Sequence, residues 1–178
     1  MTTLEKIQEQ WRRLTLYSPW RFVLAVWLLN MISVVPILVL AWVADRRFHF
    51  FSEGLVWPDL KKMYGVWMYY GLVVIWMPWL ETVIGQWLPW DVTRALKLPP
   101  AFFVVLATVW FAFLHGLGFH GPNFWLMVLS HVIASLLLAL TFLQGRKHSL
   151  WRGIWMTAMV HMLINFTVSA GDAVNSAI

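Results

Sequence analysis

Five apolar runs divide this chain of 178 residues, at about 20–43, 64–87, 101–117, 124–143 and 150–169. A helix needs ~20 apolar residues to cross the hydrocarbon core of a bilayer. Composition decides between lipid and a soluble core. The chain is 61% hydrophobic and only 12% charged, too little charge to cover a soluble protein of this size. Its 14 tryptophans fit membrane–water interfaces, where an amphipathic ring sits half in water. The expected fold is therefore an all-α, polytopic membrane helix bundle with about five transmembrane helices. The length allows one domain, spanning 20–178.

Residues 1–19 form a separate amphipathic segment. Leu4, Ile7, Trp11 and Leu14 share one helical face, with Lys6, Arg12 and Arg13 off it. That pattern suits a helix in the headgroup region, and a solvated tail is the competing reading. No short apolar region with a small-residue cleavage site marks it as a signal peptide. The net charge of +5 sits mostly in connections between apolar runs. This favours topology control and contact with anionic lipids over nucleic acid. Arg21, Arg94, Lys97, Arg146, Lys147 and Arg152 fall on the same side as the N-terminal segment, which places the N-terminus in the cytoplasm. With no cysteine, thiolate metal sites and thiol nucleophiles are excluded.

Three runs carry ionisable residues where they are costly and usually functional: Glu81, His115 and His161. Asn165 lies four residues after His161, on the same helical face. Glu81 lies eight residues before Pro89, about 12 Å deep if its helix ends there. His161 is about 15 Å in from the same side, and His115 roughly 22 Å, the outlier. A carboxylate in an apolar site becomes a better base. Histidines can ligate a metal or stabilise an oxyanion. Asn165 can orient a histidine or hold a substrate carbonyl. Glu81, His115 and His161 would also suit zinc with a position left for water. No serine elbow, His-Glu-x-x-His motif or phosphate-binding glycine loop competes. His131 reads as an interhelical hydrogen-bonding residue.

These residues resemble the CAAX prenyl protease 2 and bacteriocin-processing (CPBP) intramembrane proteases, also labelled abortive-infection proteins. That pattern is Glu-Glu-x-x-x-Arg, then Phe-x-x-x-His, then His-x-x-x-Asn or Asp. Phe111 to His115 fits the second motif and His161 to Asn165 the third, within a core at 76–170. In the first motif Glu81 is kept, and Thr82 and Gln86 replace the second glutamate and the arginine. A neutral i, i+4 pair able to hydrogen-bond thus stands where a charge pair would be. The resemblance implies a membrane protease, metallo- or glutamate-dependent, in a bacterial inner membrane, acting on a membrane-associated peptide or protein. Its catalytic residues would be Glu81, His115, His161 and Asn165. Thr82, Gln86 and Phe111 would support them. The alternative is a catalytically silent membrane scaffold built on the same fold.

Overall fold

The computed structural model describes residues 3–48, 65–117 and 122–175. These segments are helical apart from short turns, and no strand occurs among the described residues. Helix α1 is Thr3–Tyr17 and α2 is Pro19–Phe48. Helix α3 covers residues 66–95, α4 is Pro100–Gly116, α5 is Pro122–Arg146 and α6 is Leu150–Asn175. Pro19, Pro100 and Pro122 open their helices, where a missing N–H leaves no hydrogen bond unmade. The connection at 49–64, Gly118 and Gly121 fall outside the described residues, as do the side chains of Leu4 and Leu14. On α1, Glu9 bonds Arg12 and Arg13, and these bonds pull its carboxyl down to about 2.

Helix α3 corrects the sequence reading, which ends a helix before Pro89. The helix instead passes Pro78 and Pro89 and stops at Ala95. A proline lacks an N–H, and its ring collides with the carbonyl four residues back. Each proline here follows a π turn, Gly71–Trp76 and Val83–Trp87. There the N–H of Met77 reaches back five residues to Leu72, and that of Leu88 to Val83. The extra residue in the turn makes room for the ring, so the helix continues. Beyond Ala95 the N–H groups of Lys97 and Leu98 bond Arg94 and Thr93, with Lys97 at φ 55°. This closes the helix in a Schellman arrangement. Extending α3 also removes the depth mismatch of His115. Glu81 now lies roughly 21 Å from the end of its helix, against about 22 Å for His115 from the start of α4.

The helices alternate in direction. Trp20 meets Trp155, Trp90 meets Phe103, and the Arg146 guanidinium lies over Trp90. The start of α2, the end of α3, the start of α4, the end of α5 and the start of α6 therefore share one end. One cluster of buried side chains joins Phe22, Val23 and Val26 of α2 to Phe111, Leu138, Met156 and Val160. A second joins Phe103, Ala107, Ala139, Phe142 and Ile154. Helices α5 and α6 approach most closely at Gly145 and Gly153. A Cβ on Gly145 would lie 2.8 Å from Gly153 Cα, which is backbone and cannot swing away. We expect Gly145→Val to destabilise the bundle by about 3 kcal/mol. Thermal unfolding in detergent measures this, and an unchanged midpoint would refute the close crossing.

Polar side chains are buried beside the apolar clusters, and many large apolar side chains are exposed. Thr82, Gln86, Thr93, Ser135, Thr141, Thr157 and His161 are buried. Trp67, Trp76, Val105, Leu129 and Phe166 are more than half exposed. Hydroxyls of Ser33, Ser135, Thr141 and Thr157 donate to carbonyls four residues back, which satisfies them without water. Among the described residues two helices are long and apolar enough to cross a membrane, Trp67–Ala95 and Leu150–Ala170, fewer than the five expected. The stretches Pro19–Ser33, Pro100–Gly116 and His131–Arg146 are apolar but shorter. Helix α4 has only 17 residues, and the described side chains cover part of α2 and α5.

Candidate functional site

Glu81 stands on the α-helical stretch Met77–Thr82 between the two π turns. His115 ends α4 and His161 lies inside α6. The structure brings these three together. His161 Nε2 is 3.3 Å from Glu81 Oε2, and His115 Nε2 is 3.8 Å from the same oxygen. One ligand atom from each lies within 4.8 Å of the others. The His161 side chain is 5% exposed, against 24% for Glu81 and 23% for His115. The cluster is thus closed at His161 and open on the side of the other two.

The protonation pattern follows from the hydrogen bonds. His115 Nδ1 lies 2.9 Å from the carbonyl of Phe111. A carbonyl only accepts, so this nitrogen carries the proton and donates. His115 Nε2 therefore presents a lone pair toward a carboxylate oxygen that is itself an acceptor. Glu81 Oε2 is buried and makes no hydrogen bond among the described residues. Acceptors converging on one point are stable around a shared proton or a cation. Two imidazole nitrogens and a carboxylate are also the ligand set of many catalytic zinc sites. The donor set fits zinc at Glu81, His115 and His161.

Phe111 is buried, with its ring centroid 4.5 Å from that of His115 and 5.4 Å from that of His161. Only glycine at position 85 admits it, since a Cβ there would lie 2.3 Å from Phe111 Cδ2. Sequence reasoning missed Gly85, because nothing local distinguishes it from any glycine in a helix. The His131 ring stacks on that of His115 at 4.5 Å and 22°, so α5 packs against the imidazole.

Asn165 lies one turn past His161, but its Nδ2 donates to the carbonyl of Val73 on α3 at 2.9 Å. It does not bond an imidazole. Thr82 and Gln86 are buried, yet Thr82 Oγ1 and both polar atoms of Gln86 have no hydrogen-bond partner among the described residues. The expected Thr82–Gln86 bond is not made. Between the first half of α3 and the second half of α6 lies an apolar groove of about 450 Å³, lined by Trp67, Tyr70, Val74, Ile75, Phe166 and Ser169. Comparison with protein-family models, with curated proteins and with solved structures gave no match.

Proposed function

We propose that this chain is an intramembrane endopeptidase of CPBP type. It would lie in a bacterial inner membrane with its N-terminus in the cytoplasm. Helices α2, α4 and α5 would join the two longer apolar helices as spans. The observation that carries the reading is the meeting of Glu81, His115 and His161 within 4.8 Å, inside a bundle whose outer surface is apolar. Most of the side chains on the long apolar stretches Trp67–Ala95 and Leu150–Ala170 are not buried, which supports helices facing lipid.

Peptide hydrolysis adds water oxygen to the carbonyl carbon and breaks the C–N bond. One water proton passes to Glu81 and on to the leaving amine nitrogen. The other stays with the new carboxyl group. With its Nδ1 proton committed to Phe111, His115 serves as an acceptor at Nε2 and not as an oxyanion donor. His161 Nδ1 is buried without a partner among the described residues, so a proton donated to a developing oxyanion would come from Nε2, the nitrogen that faces Glu81. In the metal-dependent alternative, a zinc ion held by Glu81, His115 and His161 would activate bound water and polarise the carbonyl in place of the free carboxylate. The substrate would be an apolar, membrane-associated peptide, matching the exposed apolar side chains of α3 and α6 such as Trp76, Leu80 and Phe166.

The test reconstitutes the full chain in lipid nanodiscs with a library of apolar peptides and reads new termini by mass spectrometry. Cleavage is expected from the wild type and should be lost equally in His115→Ala and His161→Ala. Cleavage unchanged in both variants would overturn the protease reading. Preserved binding of a membrane partner in all three forms would then favour the scaffold.

A further inference from the structure

Pro78 removes one donor from the ladder of α3, and the carbonyl it strands can be identified. In the π turn the N–H of Met77 bonds Leu72, five residues back. The next rung in that register would run from residue 78 to the carbonyl of Val73, and proline has no N–H to make it. In apolar surroundings a stranded carbonyl must find another donor. That donor comes from a different helix. Asn165 Nδ2 bonds Val73 O at 2.9 Å. An aliphatic residue of similar size would fill the space and leave the carbonyl bare. An ionised aspartate would bring only acceptors.

The bond is placed to act on the cluster. Glu81 lies three residues beyond Pro78 on α3, and His161 lies one turn before Asn165 on α6. The two helices meet at two levels: Val73 is bonded to Asn165, and Glu81 Oε2 lies 3.3 Å from His161 Nε2 without a hydrogen bond. Releasing the Val73–Asn165 bond leaves the Val73 carbonyl bare inside the π turn Gly71–Trp76, and the backbone there would shift to find another donor, moving everything after it. We infer that Asn165 is a positioning residue, whose amide replaces the N–H missing at Pro78 and thereby fixes where α3 delivers Glu81 against His161. Its effect on hydrolysis rests on the protease reading above; its effect on Glu81 does not.

The test uses Asn165→Leu, which keeps bulk and removes the donor, with and without Pro78→Ala, which returns an N–H to the ladder. Carbon-13 resonances of the Val73 carbonyl and the Glu81 carboxyl are followed in reconstituted full-length protein. Both should move in Asn165→Leu and return toward wild type in the double variant. Where peptide cleavage is measured, kcat should fall about tenfold or more in Asn165→Leu with KM unchanged. About tenfold should be regained in the double variant, a coupling that independent sites would not give. Two results would overturn the inference. One is a Val73 resonance that moves while Glu81 stays. The other is a double variant as slow as Asn165→Leu with the Val73 resonance restored, which would mean that the amide acts on substrate directly. Resonances that move and return in a protein that cleaves nothing would uphold the positioning role and sink the protease.

Discussion

Glu81→Gln is expected to abolish peptide cleavage, by about 10³-fold or more, while leaving the bundle folded. Glutamine keeps the shape of the side chain but cannot accept the water proton, and general bases contribute about 10²–10⁴-fold. Glutamine also brings an N–H that can donate toward the free lone pair of His115 Nε2, where the carboxylate offers only an acceptor, so stability should hold or rise. Rate and stability should therefore move independently. Cleavage kinetics and thermal unfolding of the same preparation measure both. Activity within tenfold of wild type would show that the carboxylate is not the base.

The second large effect is at Gly85, where two physical terms have opposite signs. In a helix interior, glycine to alanine favours folding by about 0.8–1 kcal/mol from propensity alone. At Gly85 the new Cβ would sit 2.3 Å from Phe111 Cδ2, and Phe111 is 2% exposed with its ring against both histidines. Overpacking should dominate and cost about 1–3 kcal/mol net. Cleavage should fall with it, as Phe111 carries the carbonyl that holds His115. Gly71→Ala in the other π turn is the matched control, because its Cβ meets nothing within 4 Å. Opposite shifts of the unfolding midpoint at the two glycines would establish the effect. Similar shifts would refute it, and Gly85→Ala/Phe111→Leu should recover part of the loss.

What the sequence made legible was local. The apolar runs give the helices, and the four-residue spacings put His161 with Asn165, and Phe111 with His115, on shared faces. The second spacing also contains the bond from His115 Nδ1 to the Phe111 carbonyl, because a side chain at i+4 reaches the carbonyl of i. Contacts between distant segments were not legible. The partner of Asn165 is a backbone carbonyl 92 residues away, and backbone carbonyls carry no sequence signature. The persistence of α3 through Pro89 was hidden for a related reason. Proline announces a break, whereas the π turn that accommodates it is written in no residue type. Of the five expected spans, two long apolar helices meet the length criterion among the described residues, because continuous apolar runs in the sequence do not show where a helix starts and stops.

The two π turns give α3 a consequence that ordinary helices lack. Each lodges one spare residue, and between them they set the angle at which Glu81 leaves the helix relative to both ends of the rod. Inserting or deleting one amino acid at 71–76 or 83–87 would turn the carboxylate by about a quarter of a revolution or more. Most side-chain replacements on the same stretch leave that heading alone. The chemistry of this helix is thus governed by its count of residues as much as by their kind, so homologous chains should vary in composition here more freely than in length.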